Sequence, residues 1–156
     1  MRRADRESKD YAGILKKCKI MRLGLCGNEF PYIVPMNFGY DFDGTAITLY
    51  LHSAREGKKL DIIKENPSAC FEMDCSFELK YDEATDTYTS YYECLMGFGK
   101  IEVVETFDDK RSALIKIMEH QCGEGTYDFD EKTVNVVTIL RMRCTDFSAK
   151  ANKGKA

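Results

Sequence analysis

From residue 20 onward the chain repeatedly alternates apolar and polar side chains with a period of two. In IMRLGLC (20–26) Met21, Leu23 and Leu25 share one face, as in a strand with one side buried. Gly27-Asn28 supplies a tight-turn signal. FPYIVPMNFGY follows, with Tyr32, Val34, Met36 and Phe38 alternating against Ile33, Pro35 and Asn37, so two antiparallel strands joined by a hairpin are expected. Asp43-Gly44 gives a second turn, after which Thr45, Ile47, Leu49 and Leu51 oppose Ala46, Thr48, Tyr50 and His52. His52 is therefore expected to point away from the core row.

The period lengthens twice. Ser53 with Glu56 three residues on makes a capping-box pattern, and REGKKLDIIKEN is expected as a short helix ended by Asn66-Pro67. FDDKRSALIKIMEHQ places Leu114, Ile117, Met118 and Gln121 at helical spacing behind an acidic start, which predicts a second helix. Residues 4–17, with Tyr11, Ile14 and Leu15, predict a surface helix that Gly13 weakens. The remaining segments alternate again. In 69–79 Phe71, Met73, Cys75 and Phe77 oppose Cys70, Glu72, Asp74 and Ser76; 80–90 is polar and turn-rich, a long hairpin loop or ragged strand ends. Residues 90–105 form a long strand bent at Gly97 and Gly99, 134–147 a last strand, and 148–156 a frayed tail.

About six antiparallel strands in hairpin succession, with a few short helices, predict a mostly β chain whose sheet closes into a barrel. At 156 residues the whole chain, 1–156, is expected to be a single domain, with 1–17 its N-terminal helical segment.

Composition narrows the partners. A net charge of -3 gives no general attraction to nucleic acid or anionic membrane, so an anion site must be local. The cysteines at 18, 26, 70, 75, 94, 122 and 144 form no CxxC pair and are expected as reduced thiols. With no leader pattern and no long apolar run, a cytoplasmic protein without membrane contact is expected.

Candidate chemistry gathers at HSAREGKKL (52–60). A helix N-terminus offers unsatisfied N–H groups and partial positive charge, and a serine hydroxyl with Arg55, Lys58 and Lys59 at i, i+3 and i+4 would complete a phosphate cradle. A capped surface helix with a solvated basic face has the same spacing. Pro35 marks an edge or broken strand, whose free main-chain groups beside Asn37 suit the rim of a flat heteroaromatic ring or simply block aggregation. No metal site is expected: His52 and His120 are the only histidines, and Cys70 and Cys75 fall on opposite strand faces. No cysteine sits in an activating motif, and GFGK lacks the third glycine and following helix of a phosphate fingerprint.

Taken together, RRADRE, YIVPMNFGY, LYLHSAREGKKLDII, NPSACFEMD and GFGKIEVVE resemble the pyridoxamine 5'-phosphate oxidase-like flavoproteins, and within them the nitroimidazole-resistance branch, over residues 2–147. The resemblance implies an FMN-binding split barrel, a homodimer with the flavin at the subunit interface. It implies that Val34, Pro35, Met36 and Asn37 lie against the flavin ring, and that His52, Ser53, Ala54, Gly57, Lys58 and Lys59 surround the phosphate. It also implies contributions from the second subunit, near 94–100. Since the cradle accounts for one phosphate, an adenosine half extending into solvent leaves FAD open. His52 matches the histidine beside the flavin in that branch and is the catalytic candidate. The expected activity is FMN-dependent oxidoreduction, nitroreductase-like, on a small aromatic acceptor. The alternative is a non-catalytic flavin- or haem-binding split barrel, with a histidine as axial ligand. The arginine-rich C-terminal segment of true pyridoxamine 5'-phosphate oxidases is not seen, so vitamin B6 oxidation is not expected.

Overall fold

The period-two alternation becomes one curled antiparallel sheet in the computed structural model, whose described residues run from 7 to 153. In chain order the elements are β1 (Glu7–Ser8), α1 (Tyr11–Lys17), β2 (Ile20–Leu25), β3 (Tyr32–Asn37), β4 (Gly39–Phe42), β5 (Ile47–Ser53), α2 (Lys58–Glu65), β6 (Ser68–Asp82), β7 (Thr87–Val104), α3 (Phe107–Cys122), α4 (Glu131–Asn135) and β8 (Thr138–Asn152). The strand order is β3-β2-β6-β7-β8-β5-β4, with β1 pairing on β8. The two edge strands, β3 and β4, are consecutive in the chain with only Phe38 between them, so the sheet curls until its edges meet. The fold is a mostly β split barrel with a few helices.

The inward row is the one the alternation predicts. Met21, Leu23, Ile47, Leu49, Leu51, Phe71, Met73, Leu95 and Met142 are fully buried, as is Phe38. Ile14 and Leu15 from α1, with Leu60 and Ile63 from α2, complete this interior. Burying such side chains stabilises the fold by about 1.5–3 kcal/mol each. Outside the barrel, α3 lies on β4, β5 and β8, where its Ala113 joins Val104 and Ile139 in a second small cluster. The opposite outer face, on β3, β2, β6 and β7, carries no helix among the described residues.

Several segments depart from the sequence expectation. The run 30–40 is two strands, not one, because the chain changes sheet edge at Phe38; with β1, this gives eight strands among the described residues. The predicted helix over 4–17 shortens to α1, with Glu7 and Ser8 paired on Lys150 and Ala149; residues 4–6 lie outside the described range. Residues 148–152 are not a frayed tail but the end of β8, held between β7 and β1. Val134 and Asn135 belong to α4, where Asp130 caps the helix by accepting from the Thr133 N–H at 2.8 Å. Residues 80–82 and 87–90 continue the strand pair, with Asp82 opposite Thr87 and a turn over 83–86.

The largest correction concerns Phe77. Ser76 has φ 59°, and the β6–β7 register shifts between Cys75 and Glu78, so one extra residue enters β6. A bulge of this kind reverses the alternation that follows it. Phe77, expected on the core row with Cys75, is instead exposed.

A buried carboxylate sits beside that bulge. Glu93 is 3% exposed and accepts from Ser76 Oγ at 2.9 Å and from Lys17, while Lys153 pairs with it at 2.8 Å. Burial alone would raise its pKa, but the hydrogen bonds from Lys153, Lys17 and Ser76 outweigh burial and bring it down to about 2. Such a group stabilises the fold fully above its ordinary value of 4.5, and that contribution is lost as pH falls through this value towards 2. Glu93→Gln is expected to flatten the acid limb of stability in that window, followed by urea unfolding at stepped pH; an unchanged limb would remove Glu93 as its source. A second expectation concerns Gly39, where an added Cβ would stand 2.5 Å from the Ile117 nitrogen and 2.6 Å from the Lys116 carbonyl oxygen. Gly39→Ala should cost roughly 1–3 kcal/mol by lifting α3 off β4, and an unaltered unfolding midpoint would mean that α3 is not seated so closely.

Candidate functional site

The split in the barrel follows from strand lengths. β4 pairs with β5 only as far as Tyr50, so Leu51, His52 and Ser53 have no strand partner on that side among the described residues. β3 pairs with β2 alone, as an edge strand containing Pro35 must tolerate. These two unpaired margins approach each other, and α2 begins where β5 ends.

At that junction the expected capping box does not form. Ser53 is the last residue of β5, opposite Thr138, and the N-cap of α2 is Gly57, with φ 138° and no side-chain cap. The ladder holds Ser53 in the strand, and only glycine adopts this φ without strain. Arg55 therefore lies off the helix and is exposed, so the predicted three-cation face is not present. Two lysines remain, aimed differently. Lys59 Nζ donates to Ser53 Oγ at 3.1 Å, and Lys58 Nζ stands 5.3 Å from the centre of the Tyr32 ring on β3. The first N–H groups of α2 have neither an intrahelical acceptor nor a side-chain cap, and a Cβ on Gly57 would meet nothing within 4 Å. The result is an open, positively polarised helix end with a hydroxyl and two lysines around it.

The structure sorts the other candidates. Pro35 is exposed opposite Arg22, and Val34 is half-buried. Met36 is buried in the main core, so only its backbone can face a ligand. Asn37 is engaged elsewhere: its Nδ2 donates to Gln121 Oε1 at 3.0 Å and contacts the Lys19 carbonyl at 3.4 Å. Ala54 is exposed. His52 points outward and is exposed, opposite Ile139. His120 differs: its Nε2 donates to the Cys18 carbonyl at 2.7 Å, and its ring packs on Phe38 and Tyr40 at 4.6 and 5.0 Å. Burial pushes it below its ordinary pKa, against the Cys18 hydrogen bond. His120 is a packing residue.

One feature had no local sequence signal. On the uncovered outer face, Gly24, Cys26, Ile33, Cys70, Phe98 and Lys100 line an apolar cavity of about 620 Å³, within the range of small-molecule sites. Its residues come from four separated segments, and only their shared parity connects them. Pro31 lines both this cavity and a smaller hollow of about 280 Å³ that holds Phe30, Tyr32 and Lys58. The apolar cavity and the hollow at Lys58 thus adjoin at Pro31. Among the described residues no cluster of three or more His, Cys, Asp or Glu is placed to hold a metal ion, and no helix is long and apolar enough to cross a membrane.

Known structures share this architecture. A candidate 5-nitroimidazole antibiotic resistance protein from Bacteroides thetaiotaomicron is 29% identical, with TM-score 0.81 over 93% of this chain and 84% of that one. A flavocytochrome from Azotobacter vinelandii (16% identity, TM-score 0.80, 99% and 73% covered) and an FAD- and haem-binding protein from Mycobacterium smegmatis (17%, 0.79, 96% and 74%) share the fold. No curated protein matches the sequence significantly. The sequence profile described as pyridoxamine 5'-phosphate oxidase matches residues 7–151, nearly the full length over which the strands, the split and the α2 junction are built, and the chain belongs to that family.

Proposed function

We propose that the protein is an FMN-dependent oxidoreductase of the nitroimidazole-resistance type, a homodimer acting on a small aromatic acceptor. The observation that carries this reading is the open N-terminus of α2, with Ser53, Lys58 and Lys59 around it and an apolar cavity within reach. Those groups fit a phosphate at one end and a flat apolar ring at the other. The 29% identity to a candidate nitroimidazole-resistance protein supports the choice of acceptor.

In this reading the α2 N–H groups, Lys58 and Lys59 hold the phosphate, and Gly57 leaves room for it. The margin of β3 around Pro35 presents backbone to the ring edge, while Ile33 and Phe98 exclude water. Bound flavin would supply hydride transfer, which side chains alone cannot perform. Reducing a nitro to a nitroso group takes two electrons and two protons and releases water. Hydride brings both electrons and one proton, so one more proton is needed. We assign that proton to the exposed His52 imidazole, one residue before the cradle.

FMN is expected to raise the melting temperature of purified protein, with about 2.7 kcal/mol of stabilisation at a hundredfold excess over Kd. Lys59→Gln should weaken FMN binding by roughly 10- to 100-fold, the contribution of a hydrogen bond to a charged group. A protein that neither carries nor binds FMN would end this reading. With an external reductant, loss of nitro absorbance should slow about 10²- to 10⁴-fold in His52→Ala at unchanged FMN affinity; equal turnover would take His52 out of the chemistry. A Soret band in the purified protein would assign the haem-binding alternative instead, with His52 as axial ligand, because His120 Nε2 is committed to the Cys18 carbonyl.

A further inference from the structure

Beyond Cys75 and Glu93, β6 and β7 leave the barrel together. β2 pairs with β6 only up to Glu72, and β8 pairs with β7 only from Tyr92 onward. Residues 78–82 and 87–91 pair with each other alone, a two-stranded ribbon of a kind that is barely stable by itself in water. Its two faces are unlike. Leu79 opposite Ser90 and Tyr81 opposite Tyr88 make one apolar face, on which the two tyrosine rings pack at 4.9 Å. Glu78, Lys80, Asp82, Thr87 and Thr89 make the other, with Tyr91 opposite Glu78 and its ring centre 5.5 Å from Lys80 Nζ.

The Ser76 bulge decides where the apolar face points. Without it, Phe77, Leu79 and Tyr81 would continue the inward row of Phe71 and Met73. With it, they fall in step with Tyr88, Met96 and Phe98 of β7, on the outer face that no helix covers. Phe77 is 72% exposed, Tyr88 70%, Phe98 53% and Tyr81 49%. At about 200 Å² per aromatic side chain, these four alone leave roughly 500 Å² open. Leu79, Ile20, Ile33 and Met96, all exposed, bring the patch towards the ~800 Å² per partner that a stable interface covers. The area is in two parts, the ribbon and the surround of the cavity, on either side of Arg22, Glu72 and Asp74.

We infer that this ribbon is an arm that docks on a second copy of the chain and closes the partner's apolar cavity, with Tyr88 and Phe77 as its anchors. The occupant is a second copy because the face is self-complementary: the ribbon lies at one end of β7 and the cavity, at Phe98 and Lys100, towards the other. Tyr88 and Phe98 are ten residues apart, about 33 Å of strand. A two-fold axis crossing the strands midway lays each ribbon over the other copy's cavity and buries both patches twice, as isologous contacts do. Midway stand Arg22, Glu72 and Asp74, the one guanidinium pairing with both carboxylates at 3.1 and 2.5 Å, which leaves one net negative charge per copy near the axis. The inference rests on the dimer in the proposed function but not on the cofactor.

The test uses the full chain with Tyr88→Cys and a short bismaleimide, resolved on a denaturing gel. Cys26 is exposed and lines the cavity, so a covalent dimer is expected, lost when Cys26→Ser is added. In a chain that also carries Cys94→Ser and Cys122→Ser, whose thiols are free and not fully buried, a cross-linked dimer that survives Cys26→Ser and Cys70→Ser together would overturn the arm-over-cavity arrangement. In parallel, Phe77→Ser with Tyr88→Ser should weaken dimerisation by roughly 30-fold or more by sedimentation, as for the loss of central aromatic anchors. A dimer of undiminished affinity would sink the arm while leaving the dimer itself standing. A monomeric wild-type chain would remove both.

Discussion

The fold depends on the chain crossing from one sheet edge to the other at a single residue. Phe38 is fully buried at that point, and the strands on either side, β3 and β4, take different partners. The crossing is clamped from outside. Gln121 at the end of α3 donates to the carbonyls of Phe38 and Lys19 at 2.9 and 3.1 Å and accepts from Asn37. Gly39, the next residue, has no side chain to hold α3 away. Because the clamp fixes β4 against β5 while β3 stays with β2, a gap must open beyond Tyr50, and the candidate site occupies it.

The same clamp makes the exterior unequal. α3 takes the outer face of β4, β5 and β8, while α1 and α2 pack on the interior side, so no described helix covers the outer face of β3, β2, β6 and β7. Polar residues do not fill that space evenly. Arg22 pairs with both Glu72 and Asp74 at its centre and leaves one net negative charge there, and apolar side chains flank them on both sides. On the inner side the Glu93 carboxylate, with Lys17, Lys153 and Ser76, ties α1, the bulge and the end of β8 into one charged knot at the rim of the core.

Much of this was legible in the sequence, because strand alternation is a local signal. Met21, Leu23 and Leu25, the Asp43-Gly44 turn, the edge position implied by Pro35 and the outward His52 all follow from period and turn chemistry. Where the sequence misled, a distant contact outweighed the local pattern. Ser53 and Glu56 have the capping-box spacing, but pairing with Thr138 keeps Ser53 in β5. Asn37 has the chemistry to meet a ligand, but Gln121, 84 residues away, takes its amide. Phe77 continues an unbroken alternation, and nothing in its neighbours' hydrophobicity marks the extra residue. The cavity draws on four segments, none of which carries the signal alone.

The bulge at Ser76 has a further consequence. Substitution along the ribbon alters one side chain at a time and leaves its neighbours facing as before. Loss of one residue at the bulge would turn Phe77, Leu79 and Tyr81 over together, towards the side of Glu93. Which way the ribbon's aromatic face looks is thus encoded in the length of β6 between Cys75 and Glu78, and a change in length there, more than a change of side chain, would alter what the molecule can meet.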